Sequence, residues 1–235
     1  MDTGAKILAN SPDEKITEGL DGLRDRLAAY YENGAKFCKW RAVITIANDI
    51  PSDACIESNM NALARYASLC QENNLVPIVE PEVLINGTHS IDECDKVTRK
   101  SLNSLFSHLK MFNVYLPGTV LKPSMVISGQ ENDSRASYEE VASKTIACLE
   151  DFVPNDTAGI AFLSGGQTDL EAESHLNIMN QASNHLPWRV TFSYARAIQA
   201  AALAAWQGKD ENLEASQNIL GERAQRCSNS SVGKL

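Results

Sequence analysis

Eight residues that could take part in chemistry fall at or near the ends of apolar, strand-like segments. They are Lys39, Arg41, Glu80, Glu82, Lys122, Ser164, Gly165 and Arg196. Lys122 ends one such segment, and Pro123 stops the strand after it because proline has no N–H to donate. A single lysine at a strand end is more often a solvated surface residue, so its role depends on the neighbours.

The lysines and glutamates of this set suit covalent amine catalysis. A lysine amine has an ordinary pKa of about 10.4 and attacks a carbonyl only after losing its proton. A second cation nearby, Lys39, and partial burial of the strand end both favour the neutral amine at Lys122. Glu80 is placed to shuttle protons while a carbinolamine dehydrates. We therefore expect Lys122 to form a Schiff base.

Ser164, Gly165 and Arg196 suit phosphate binding. Gly165 lies in a serine-glycine-glycine turn before a helix, where backbone N–H groups and a hydroxyl can donate to an anion, and a guanidinium binds phosphate through two parallel bonds. Each residue also has an ordinary structural interpretation, such as a plain turn or, for Arg41 and Glu82, a rim ion pair. Their joint occurrence at strand ends favours one shared site.

Composition excludes several functions for the 235 residues. The net charge of −9 argues against binding nucleic acid or an anionic membrane, since both attract a basic surface. No apolar run approaches the roughly 18 residues of a membrane helix, and the first residues do not resemble a signal peptide, so we expect a cytoplasmic protein. Six scattered cysteines and four histidines lack zinc-ligand spacing, and nucleotide-binding glycine motifs are absent; we expect no metal and no cofactor.

The site residues require a scaffold that brings strand ends together. Five apolar segments alternate with helical segments, which predicts a parallel α/β fold. The segments are 37–46, 75–83, 118–122, 159–166 and 190–196. A doubly wound sheet and a (β/α)8 barrel both fit; polar groups at all five strand ends favour the barrel. Residues 1–16 are predicted to form a loop, 17–33 a helix, 53–72 a second helix, and the tail from about Cys227 is predicted to fray.

Several sequence blocks resemble class I fructose-bisphosphate aldolase. The blocks are Phe37–Arg41, Val76–Glu82, Gly118–Pro123, Phe162–Gln167 and Thr191–Arg196, with further similarity at Gly19–Leu23 and Leu63–Ser68. They occur in order along essentially the whole chain, and five ordered blocks are far more specific than one. The resemblance implies a TIM barrel, a lyase of glycolysis and gluconeogenesis, and a homotetramer that binds a phosphosugar.

The resemblance also implies individual roles. Lys122 would form the iminium with the ketose phosphate, with Glu80 and Glu82 in acid–base and charge-balancing roles. Lys39 would contact the hydroxyl whose proton moves during carbon–carbon cleavage, and Arg41 would help to hold the distal phosphate. Ser164, Gly165 and Arg196 would bind the phosphate of the half that becomes dihydroxyacetone phosphate.

The chain also departs from the family pattern. Members carry three more strands before the region that matches Met1, and these supply an aspartate and another lysine, so we expect one partial barrel domain over residues 1–235, with only the last five strand-helix units readable. Ala195 replaces a common glycine, which predicts a modest loss of phosphate affinity. Two alternatives stay open: a catalytically weak homologue that binds phosphosugars or subunits, and a Schiff-base aldolase for a smaller sugar phosphate.

Overall fold

The computed structural model describes residues 3–182 and 185–235. The strands are β1 (Gly4–Leu8), β2 (Ser11–Glu18), β3 (Phe37–Ile44), β4 (Val76–Val83), β5 (Val120–Leu121), β6 (Gly159–Phe162) and β7 (Val190–Phe192). The helices are α1 (Leu23–Glu32), α2 (Asp53–Glu72), α3 (Ile91–Met111), α4 (Tyr138–Phe152), α5 (Asp169–Ala182), α6 (Arg196–Trp206) and α7 (Leu213–Ser230). None of the helices in these described ranges is long and apolar enough to cross a membrane.

Strands β3 to β7 form one parallel sheet in sequential order, β3-β4-β5-β6-β7. Helices α2 to α5 connect successive strands, and α6 follows β7. A doubly wound sheet reverses its strand order at a switch point, whereas a barrel does not. The order among the described strands therefore agrees with the barrel type, and the predicted parallel α/β arrangement is confirmed.

Side-chain caps set the start of several helices. The Ser52 hydroxyl accepts the Cys55 N–H at 3.1 Å, so that α2 begins where the sequence predicts. Ser90 and Glu93 form a reciprocal capping box at the start of α3. The helices pack on the sheet through a buried apolar core, and Trp40 of β3 lies against a Tyr66 ring of α2 with 5.5 Å between the ring centroids. The core thus fixes α2 behind the strands that carry the polar residues.

The N-terminal segment differs from its prediction. Residues 4–18 form an antiparallel hairpin of β1 and β2 in place of a loop, and α1 begins at Leu23 rather than near Thr17. The turn uses Asn10 with a positive φ of 63°. The sequence pattern did not predict the hairpin because its buried side chains include the polar residues Glu14 and Thr17, which do not produce an apolar alternation.

The C-terminal segment is ordered beyond the predicted point of fraying at about Cys227. Helix α7 continues to Ser230, and the Cys227 side chain is fully buried. Glu173 of α5 lies within 2.9 Å of Arg223 on α7. Buried ion pairs, rather than a strong apolar stripe, hold this helix, so hydrophobic periodicity underestimates its length.

Candidate active site

The register of the sheet brings the predicted residues together. Arg41 lies opposite Glu80 in the β3–β4 pair, and Val79 lies opposite Leu121 in the β4–β5 pair. Residues two apart along a strand point to the same face. The parallel direction therefore places the ends of β3, β4 and β5 side by side, and with them Lys39, Glu80 and Lys122.

Glu80 bridges the two lysines. Its Oε1 lies 2.9 Å from Lys122 Nζ, and its Oε2 lies 2.7 Å from Lys39 Nζ. The Glu80 residue is 3% exposed, while the Lys122 side chain is 12% exposed and Lys39 is half-exposed. A buried carboxylate between two amines can accept a proton from one and be charge-balanced by the other. The geometry therefore suits proton transfer at Lys122.

A second acid–base pair lies beside the first. Arg41 Nε donates to Glu82 Oε2, and Glu82 is buried while the Arg41 side chain is 45% exposed. The pairing fixes the direction of the guanidinium, which is partly exposed to solvent. Glu82 also faces the glycine turn, because a Cβ at Gly165 would lie 3.9 Å from Glu82 Oε1.

The predicted phosphate residues lie together at the ends of β6 and β7. Gly165 and Gly166 have φ of 51° and 90°, a region that glycine occupies without the steric cost of a Cβ. The Gln167 N–H donates to Ser164 O at 2.9 Å and closes the turn. A Cβ at Gly166 would lie 3.8 Å from Arg196 Nη2, so the guanidinium borders the turn. Glycine amides, the serine and arginine thus meet at one place, the arrangement that suits an oxyanion.

Ala195 does not require a strained backbone. Its φ is −102°, which is ordinary for a residue with a Cβ. The alanine keeps its N–H at a negative φ, and the modest loss of phosphate affinity stays a prediction.

His175 and Gln167 support the glycine turn, and the sequence prediction missed both. His175 Nδ1 lies 2.7 Å from Gln167 Oε1, and the Tyr138 ring meets the imidazole edge-on with 4.9 Å between centroids. Burial lowers the pKa of His175 to about 4, so the neutral ring donates from Nδ1 to the amide oxygen. The two residues lie on a loop and a helix with no motif spacing that could have revealed the contact.

Ser124 continues the connection between β4 and β5 beyond Pro123. Its hydroxyl accepts the Val83 N–H at 3.1 Å and is buried. This bond joins the ends of β4 and β5 where the ladder stops. A serine directly after a lysine-proline pair is the sequence signal that could have indicated it. In the described parts of the chain, no three His, Cys, Asp or Glu side chains are grouped closely enough to hold a metal ion.

Comparison with known proteins identifies the family. The family model for class I fructose-bisphosphate aldolase matches residues 1–235. The chain belongs to this family. A probable class 1 fructose-bisphosphate aldolase of Xanthomonas axonopodis pv. citri is 54% identical over 236 residues, covering 100% of this chain and 70% of the relative. A cytosolic fructose-bisphosphate aldolase of Arabidopsis thaliana is 46% identical, covering 99% of this chain and 59% of the relative.

A solved aldolase has the same fold. The fructose-bisphosphate aldolase from Plasmodium falciparum, crystallised with TRAP and a small-molecule inhibitor, superposes with a TM-score of 0.96 at 44% identity. The match covers 99% of this chain and 67% of that one. These findings confirm the resemblance and the predicted aldolase class, and they support the enzyme rather than the non-catalytic homologue. They also agree with the barrel type, which the described sheet represents by five strands.

Proposed function

We propose that the chain cleaves fructose 1,6-bisphosphate reversibly to dihydroxyacetone phosphate and glyceraldehyde 3-phosphate through a Schiff base on Lys122. The observation that carries the proposal is the buried Glu80 carboxylate between Lys122 Nζ and Lys39 Nζ, at 2.9 and 2.7 Å. A protonated amine cannot attack, and a carboxylate in direct contact supplies the acceptor for its proton.

Catalysis begins with attack of the neutral Lys122 amine on the C2 carbonyl of the ketose. Glu80 returns its proton to the carbinolamine hydroxyl, which leaves as water and creates the iminium. The Glu80 carboxylate, which Lys39 contacts, accepts the C4 hydroxyl proton, and the electrons of the C3–C4 bond move into the iminium. Glyceraldehyde 3-phosphate leaves, Glu80 returns that proton to C3 of the enamine, and hydrolysis of the new iminium releases dihydroxyacetone phosphate.

Charged and polar residues at the C-terminal ends of the parallel strands orient the two ends of the substrate. Ser164, Gly165 and Arg196 bind the phosphate of the half that becomes dihydroxyacetone phosphate, because the glycine turn offers backbone N–H groups beside the Arg196 guanidinium. Arg41 receives the distal phosphate, and Glu82 fixes the guanidinium and balances its charge. The two phosphates of the sugar are thus each assigned an arginine, Arg196 at one end and Arg41 at the other.

The family resemblance also supports a proposal for assembly and location. We propose a homotetramer in the cytoplasm, supported by the family resemblance and by the cytosolic relative. Size-exclusion chromatography with light scattering tests the tetramer, and a monomer at micromolar concentration would contradict it.

Borohydride trapping tests the reaction. The purified chain is incubated with dihydroxyacetone phosphate, reduced and digested, and the peptide that holds Lys122 is expected to carry the adduct. Lys122→Arg keeps the cation beside Glu80 but cannot form an imine, so it should remain unmodified. Lys39→Arg is the matched variant, and it should still trap substrate at Lys122.

Each other outcome has a clear meaning. An adduct on Lys39 in the unaltered chain would move the nucleophile but leave the Schiff-base chemistry. If a folded chain binds the phosphosugar but forms no adduct, the result favours the phosphosugar-binding homologue over the enzyme.

A further inference from the structure

The outer edge of β3 is held by the hairpin. Among the described residues, β3 pairs with β4 along one edge, and at the other edge the Thr17 hydroxyl donates to the Arg41 carbonyl oxygen at 2.6 Å. Thr17 is the next-to-last residue of β2 and is 4% exposed. This bond supplies the donor that a neighbouring strand would otherwise provide.

Thr17 is itself fixed by a buried amide on α2. The Thr17 N–H donates to Asn59 Oδ1 at 3.3 Å, and Asn59 Nδ2 donates to Lys15 O at 2.8 Å and Cys55 O at 3.0 Å. Asn59 is fully buried, so this network has little freedom to move. Helix α2 thus determines the position of the hydroxyl that holds Arg41.

The hairpin and β4 hold Arg41 from two sides. Thr17 binds its carbonyl oxygen, and Glu82 binds its side-chain Nε. If the hydroxyl is lost, the Arg41 carbonyl oxygen loses this donor, and the strand relaxes towards another partner or water. A small displacement of the backbone moves the guanidinium at the end of a long side chain by more than it moves the Cα atom.

We propose that Thr17 is a positioning residue for Arg41 and thereby sets the affinity of the site for the distal phosphate. The inference rests on the proposed function, because it concerns the same Arg41. Thr17 does not touch the substrate; it acts through the backbone of the strand. The effect is therefore specific to sugars that carry a phosphate at the far end from the reacting carbonyl.

Steady-state kinetics of Thr17→Val and Thr17→Ser on two substrates test the inference. Thr17→Val is expected to raise KM for fructose 1,6-bisphosphate about tenfold. The reason is that loss of one hydrogen bond that positions Arg41 corresponds to about a tenfold change in affinity. KM for fructose 1-phosphate, which lacks the distal phosphate, should stay within about twofold. Thr17→Ser keeps the hydroxyl and should restore the bisphosphate KM.

Thr98→Val controls for the loss of a buried threonine hydroxyl. Thr98 is buried on α3, and its hydroxyl contacts only the Cys94 sulfur, at 3.9 Å, among its described contacts. This variant should alter the KM of neither substrate. Thermal melts of all variants, and calorimetric titration of each sugar, extend the comparison to any variant with slow turnover.

Two results overturn the inference while the proposed function stands. One is an equal rise in KM for both sugars, which would indicate a general structural effect. The other is an unchanged KM for both in a folded Thr17→Val chain. Absence of a borohydride-stable adduct at Lys122 in the unaltered chain would instead overturn the proposed function and this inference with it.

Discussion

Acidification should destabilise this fold through His175. The residue is 1% exposed, and its Nδ1 donates to Gln167 at the glycine turn while the buried Nε2 has no partner among the described residues. Burial lowers its pKa from the ordinary 6.5 to about 4. Between these two values the unfolded chain binds a proton that the folded chain refuses.

The sign and size of the change in stability with pH follow from the difference between the two pKa values. Because the unfolded state holds more protons, the free energy of unfolding falls as pH falls from about 6.5 to about 4. The stabilising contribution of the neutral His175 is fully present above about pH 6.5. The whole interval corresponds to about 3 kcal/mol, of which about 2 kcal/mol is lost by about pH 5. Glu171 opposes this shift and Arg135 reinforces it, but burial is the largest cause.

Urea denaturation at several pH values provides the measurement. His175→Asn keeps an amide donor near the Nδ1 position and removes the titration, so its stability should decline less than that of the unaltered chain on acidification. The difference between the two isolates His175 from His89, whose pKa burial also lowers. His185→Asn, at an exposed histidine, is the matched control.

The reasoning would be refuted if the free energy of unfolding fell equally with pH in the unaltered chain and in His175→Asn. That result would mean that the buried imidazole is protonated in the folded state at no cost. A His185→Asn curve that flattens as much as the His175→Asn curve would equally contradict it.

Three further substitutions have defined outcomes. Arg41→Ala should raise KM for fructose 1,6-bisphosphate at least about tenfold through loss of a charge-assisted phosphate contact; an unchanged KM would favour an aldolase for a smaller sugar phosphate. Gly165→Ala should weaken binding of dihydroxyacetone phosphate roughly tenfold in calorimetry. A φ of 51° costs an alanine about 1 to 2 kcal/mol, and its Cβ would lie 2.6 Å from a leucine methyl. The control is Gly208→Ala, which lies just beyond the end of α6 with open space around it and should bind the phosphosugar normally. Glu173→Gln should lower the free energy of unfolding by about 2 kcal/mol in urea, because it removes the carboxylate charge that both Arg223 and Arg226 contact and leaves Arg223 with Asp169. A loss under about 1 kcal/mol would show that the ion pair does not hold α7.

Local signals were sufficient for much of the architecture. The helical pattern of residues 53–72, the five apolar runs and the proline after Lys122 are short-range features, and each predicts its element without knowledge of the rest. Because parallel strands present their ends at one edge, the same pattern also predicted that Lys39, Glu80 and Lys122 meet. The candidate catalytic side chains could therefore be selected from the sequence.

Only the tertiary structure decided which polar groups pair. Glu80 could have faced either lysine, and it contacts both, because the β3–β4 and β4–β5 registers are set by the core on the opposite face. The bond from Thr17 to Arg41 joins residues whose partners no periodicity reveals. Sequence patterns report which side chains avoid water, but a buried polar residue is stabilised by one specific partner, and that partner is determined by the folded chain.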